Sequence, residues 1–127
     1  MDRSPETTSA TATAPVARVW RGATDAANAA AYFDHLSSAV LPRLATIPGH
    51  RGACVLRRAV DHGTGRVEFL VLTFWADMDA VRAFAGERPD VAVVEPAARA
   101  VLADFDDVVR HFAIARATGD AAALGGG

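Results

Sequence analysis

The side chains able to do chemistry in this chain are few and scattered. His35, His50, His62 and His111 form no H-x-x-x-H pair and no cluster with carboxylates. The single cysteine, Cys54, excludes an internal disulfide and a cysteine-based zinc cluster. No serine stands in a nucleophile-elbow context, and no glycine-rich turn fits a dinucleotide or a P-loop. No metal and no cofactor is therefore expected, and any chemistry rests on single side chains in a pocket.

His111 is the first of these, because it falls in the β-rich segment FDDVVRHFAIA. A neutral imidazole there could accept a proton, its ordinary pKa being near working pH; the structural alternative is a buried His bonded to backbone or to a carboxylate such as Glu68. Tyr32 is the second candidate base. It lies one helical turn before His35, so the two share a side of their helix and could point into a pocket or edge the helix, His35 being the one read toward solvent. Trp75 offers a large rigid face for a flat ligand, or else a cap on the core. Phe84 and Phe33 are further ring candidates for a substrate wall. Arg57 and Arg58 are adjacent on a strand and so face opposite ways. One of them could steady an anionic oxygen; Arg57 is the candidate, although the pattern does not say which faces the pocket. Glu95 and Arg99, one turn apart, read as a helical ion pair of small worth.

The elements that must position these residues centre on Arg66–Trp75, RVEFLVLTFW, ten residues rich in β-branched and aromatic side chains. Phe69, Val71, Thr73 and Trp75 fall on one face, and Leu70, Leu72 and Phe74 on the other, so both faces need cover. Val16–Gly22 alternates as a first strand. Thr24-Asp25 offers a helix start, and Ala29, Phe33, Leu36, Val40 and Leu44 recur at helical spacing to about Thr46, with a kink or loosened last turn at Pro42. Ile47–His50 reads as a turn, and Arg51–Val60 as a strand joined to Arg66–Trp75 by a His62–Gly65 hairpin turn. Asp77 caps a helix over Met78–Ala85 that Gly86 stops. Pro89–Leu102 reads as a helical stretch interrupted at Pro96, and Phe105–Ala115 as the last strand.

This order gives a ferredoxin-like βαββαβ antiparallel sheet with helices on one face. The bare apolar face, worth roughly 25 cal/mol per Å² on burial, favours a homodimer packed sheet to sheet. The expected organisation is a flexible tail over 1–15, one domain over 16–115 and a second tail over 116–127. A net charge of −2, with both signs interspersed, gives no footprint for nucleic acid or an anionic membrane. No apolar run reaches spanning length and no signal peptide is visible, so a cytoplasmic protein is expected.

The segments WRGAT, Tyr32, Pro48-Gly49-His50-Arg51-Gly52, Leu56-Arg57-Arg58, Glu68-Phe69, Leu72-Thr73-Phe74-Trp75, Ala83-Phe84-Ala85-Gly86 and Val109-Arg110-His111-Phe112 resemble, in this order, the antibiotic biosynthesis monooxygenase-like family. The resemblance covers most of Val16–Ala115. It implies a dimeric α+β barrel, in which two ferredoxin-like sheets pair, with a pocket in each subunit between sheet and helices. It further implies a small cofactor-independent monooxygenase that oxidises a phenolic, polyketide-like aromatic with O2. In such a pocket Trp75 would wall the substrate and His111 would take the phenol proton. The family also holds haem-degrading members, with a ligating histidine in the helical stretch before the last strand; Asp90–Leu102 has none. Close relatives often run His-Tyr-Glu in the last strand where this chain has His111-Phe112-Ala113, so no role of the Tyr and Glu positions transfers to Phe112 and Ala113. The alternatives of another class are a non-oxidative cyclase, isomerase or ligand carrier of the same fold, and a dimeric interaction module without a pocket.

Overall fold

The computed structural model describes residues 14–60 and 65–120. Most of both expected tails and the body of the expected hairpin turn lie outside the described residues. The elements are β1 (Val16–Asp25), α1 (Ala26–His35), a π-helical turn (Leu36–Val40), α2 (Leu41–Leu44), β2 (His50–Val60), β3 (Arg66–Trp75), α3 (Met78–Ala85), α4 (Pro96–Val101), β4 (Asp104–Phe105) and β5 (Arg110–Ala113).

All pairings are antiparallel, in the order β2-β3-β1, with β4 and β5 both on the free edge of β1. Taking β4 and β5 as one broken strand, this is the ferredoxin-like order. β3 sits centrally, as its two apolar faces require. It pairs with β1 in unbroken register from Val16↔Trp75 to Asp25↔Arg66. Side chains alternate in step across the ladder. Val16, Arg18 and Trp20 thus share the helix side with Phe69, Val71, Thr73 and Trp75, while Ala17, Val19, Leu70, Leu72 and Phe74 turn outward.

The core forms two clusters under the helices, one around Tyr32, Leu36, Phe69, Val71 and Ala98, the other around Val16, Leu44, Trp75 and Val81. Val40 touches both. α3 begins as its sequence dictates: Asp77 Oδ1 accepts the Ala80 amide at 2.9 Å, and Gly86 closes the helix at φ 88°. The turn before β2 depends on Gly49. Its φ is 87°, and an added Cβ would stand 2.5 Å from that of Ala80.

Three expectations need correction, and a fourth, the disturbance at Pro42, takes a definite form. β1 runs on to Asp25, so Thr24 is a strand residue, and the Asp25 side chain makes no capping bond. The long first helix is broken by its π turn, where the Leu41 amide bonds to Leu36 O. Pro42 has no amide to give Ser38 and crowds that carbonyl, which explains why the break comes just before it. Of the stretch 89–102 only Pro96–Val101 is helical. The residues before it are rich in valine, Glu95 precedes a proline, and Val91 bridges to Val108. The last strand is split for a linked reason. The Ala92 amide bonds to Asp107 O at 2.9 Å and the Val109 amide to Asp90 O at 2.8 Å, which draws residues 107–109 away from β1.

Candidate functional site

A cavity of about 180 Å³, open on one side, lies between the helix side of the sheet and the elements packed on it. β1 contributes Arg18 and Trp20, two residues apart on one face, and β3 contributes Val71 and Thr73 in the same way. α1 and the π turn add Tyr32, His35, Leu36 and Val40 at spacings of three and four. Phe84 of α3 closes one side, and Val93, Val94 and Glu95 with Ala98 of α4 cover another. The wall is chiefly apolar, with a few polar groups placed in it.

Arg18 is the most unusual of these. It is only 6% exposed, and burial lowers its pKa to about 10, so it stays charged at neutral pH. Its Nη1 donates to Pro89 O at 2.5 Å and to His111 Nε2 at 2.8 Å, and its guanidinium lies 5.6 Å from the Phe84 ring centroid. Both hydrogen-bond acceptors are neutral. Among the described residues no carboxylate comes within salt-bridge distance of Arg18, and Nε and Nη2 have no partner.

His111 stands opposite Arg18 in the β1–β5 register. Burial holds its pKa below the ordinary value, helped by the charges of Arg18 and Arg82 and opposed by Asp90. The ring is therefore neutral, and the lone pair on Nε2 accepts from the guanidinium. It is not paired to Glu68, which lies on the outer face between Arg21 and Arg58, each at 2.6 Å.

Tyr32 lines the cavity and packs edge-on against Phe69 at 4.9 Å. Burial raises its phenol pKa, so it keeps its proton. Trp75 is one layer behind the wall. It is fully buried, stacks on Phe84 at 5.2 Å, meets His50 edge-on, and donates from Nε1 to Thr73 Oγ1 at 2.9 Å. It holds two wall residues in place without facing the cavity. His35 also lines the cavity; its Nε2 is shut from water without a hydrogen bond, 3.7 Å from Glu95 Oε1. Glu95 is fixed by Arg43 at 2.7 Å, which holds its carboxyl below the usual range.

Of the residues singled out from sequence, Tyr32 and Phe84 are in the cavity, Trp75 supports it, and His111 reaches it through Arg18. Arg57 and Phe33 are brought together elsewhere: the Arg57 guanidinium lies 5.2 Å from the centroid of a ring that is itself 41% exposed. Arg57 is on the helix side, opposite Phe69, and Arg58 is on the outer side with Glu68. Sequence reasoning missed Arg18 and Trp20, and favoured other surroundings for His35 and Glu95. Glu95 pairs with Arg43 rather than Arg99, whose Nε bonds to Val94 O. His35 faces the cavity rather than solvent. The signal for Arg18 was available, since an arginine two residues from both Val16 and Trp20 must lie on their face. Among the described residues no group of three or more His, Cys, Asp or Glu could hold a metal, and no helix is long and apolar enough to cross a membrane.

No family model matches the sequence, and no curated protein does. Solved structures share the fold. A protein of unknown function from Nitrosomonas europaea is 20% identical, with a TM-score of 0.60 over 85% of this chain and 96% of its own. A protein described as a candidate antibiotic biosynthesis monooxygenase from Caulobacter crescentus is 16% identical, with a TM-score of 0.58 over 87% of this chain and 99% of its own. SnoaB, a cofactor-independent oxygenase from Streptomyces nogalater, is 21% identical, with a TM-score of 0.50 over 84% of this chain and 98% of its own. The chain thus has the ferredoxin-like fold of antibiotic biosynthesis monooxygenase-like proteins.

Proposed function

We propose that the chain is a small oxygenase, independent of any cofactor, that oxidises a phenolic aromatic with O2 and works as a homodimer. The observation that carries this reading is the cavity between sheet and helices, walled by Trp20, Tyr32 and Phe84 and holding one buried cation. The shared fold with a cofactor-independent oxygenase supports it.

The substrate ring lies against the aromatic wall, a geometry that suits flat π-faces. The guanidinium of Arg18 stabilises the phenolate in a low-dielectric setting where such contacts are strong. His111 is a positioning residue: it accepts from Arg18 and keeps that cation aimed. Tyr32, protonated, donates to a substrate oxygen. The proton passes to His35. Glu95 is the carboxylate beside it, with Oε1 3.7 Å from His35 Nε2. The phenolate then gives an electron to O2. The two radicals combine at a ring carbon, the peroxide anion takes the proton back from His35, and the hydroperoxide loses water to leave a quinone. One oxygen atom enters the product and the other leaves as water.

Oxygen uptake with a panel of one- and two-ring phenols tests the reading. Uptake above background is expected with at least one, falling about 10²-fold or more in His35→Ala, the size of a lost general base. Ligands that bind without any uptake would instead place the protein among non-oxidative cyclases, isomerases or carriers.

A further inference from the structure

We propose that Arg18 anchors an anionic oxygen of the ligand, and that the cavity selects a one- or two-ring aromatic bearing a carboxylate or an ionised ring hydroxyl. The inference deepens the reading of the site given above, yet it concerns binding alone and is tested without oxygen, so the two can fail separately.

A buried guanidinium is costly unless a charge compensates it. Here the two acceptors at Nη1, a carbonyl and an imidazole, satisfy hydrogen bonding but supply no charge. Nε and Nη2 have no partner among the described residues, although they are not closed off from the cavity that Arg18 lines. Two N–H groups in a fixed fork match the two oxygens of a carboxylate, and either one can meet a single phenolate oxygen. The stack of Trp75 behind Phe84, with Phe84 against the guanidinium, holds that fork in place. The missing anion is thus the ligand's.

Size gives the second half of the inference. A volume of about 180 Å³ exceeds the roughly 150 Å³ that takes up benzene and falls below the roughly 300–1,000 Å³ of larger ligand sites. One ring or two fit beneath Tyr32 and Val71, with the acidic group at Arg18. The polyketide-like ligand implied by the resemblance is reduced accordingly to a small fragment of that type.

The test is anaerobic calorimetric titration of the full chain with 2-naphthoate, the neutral 2-naphthalenemethanol, and 4-nitrophenol below and above its ionisation. Charge-assisted bonding predicts that the anion binds about 10- to 100-fold more tightly than the neutral analogue. Arg18→Met should abolish that preference while leaving the neutral alcohol bound as before. Preference for naphthoate identifies a carboxylate, and preference confined to ionised nitrophenol identifies a ring hydroxyl; either supports the anchor. Equal binding of anion and neutral analogue by the wild-type chain overturns it with no variant needed. So does an anion preference that survives in folded Arg18→Met.

Discussion

His111, singled out from the sequence as a base, is the positioning residue of the proposed mechanism. Its lone pair is committed to Arg18 at 2.8 Å, and protonating it would set two cations side by side in a half-buried site. Its pKa is lowered in the fold by burial first, then by the charges of Arg18 and Arg82, with Asp90 opposing. The unfolded chain therefore takes up the proton first as pH falls. Stability is fully present above the ordinary histidine value of about 6.5 and is lost as pH drops from there through the folded pKa. His50, lowered by burial, acts in the same sense. Thermal melts across this range should show a falling Tm, and His111→Gln, which keeps an acceptor for Arg18, should flatten the fall in part. An unchanged slope in that variant would remove the argument. The face that Arg18 occupies was legible from the alternation in VARVWRG. Its lack of a carboxylate was not, because the groups it does meet lie 71 and 93 positions away.

At the scale of elements, what could be read depended on whether local chemistry and tertiary contact agree. α3 is the clear case. Asp77 caps it through Oδ1, the Ala80 amide has no other acceptor in the first turn, and Gly86 ends it. Asp77→Ala should lower stability by about 1 kcal/mol, measured by denaturant unfolding, while Asp77→Ser should recover most of it. No loss in the alanine variant would mean that water replaces the cap at no cost. β3 was equally legible, since ten residues with two apolar faces leave few options. The region 89–109 was not. Its helical spacing competes with valines and with a proline after Glu95, and the outcome was decided by amide bonds between residues 90–92 and 107–109. Those cross-bonds cover the cavity with Val93, Val94 and Glu95, and they explain why Glu95 reaches His35 and Arg43 rather than Arg99. The π turn is intermediate: Pro42 announced a disturbance, but only packing could set its form.

At the scale of the molecule, the helices cover one face of the sheet and leave the other apolar. Leu70, Leu72 and Phe74 on β3, with Ala17 and Val19 on β1, turn outward, and Leu56 and Phe112 beside them are 47% and 54% exposed. One end of this face carries a charge network. Arg21 bridges Glu68 and Asp104 at 2.6 and 2.8 Å, and Arg66 reaches Asp104 at 2.9 Å. An apolar centre with a polar rim is the make-up of a protein interface rather than of a solvated surface. The proposed homodimer is sheet to sheet on this face, which leaves each cavity intact beneath its own helices. Leu56 and Phe112 already meet solvent, so charging them leaves the single subunit's core undisturbed. Leu56→Lys with Phe112→Asp should therefore convert a sedimenting dimer into a monomer with unchanged secondary structure. Binding of 2-naphthoate should persist in that monomer, because no residue of the cavity faces the outer side of the sheet. A wild-type chain that sediments as a folded monomer would overturn the pairing. A split dimer that loses the ligand would instead show that the partner subunit completes the site.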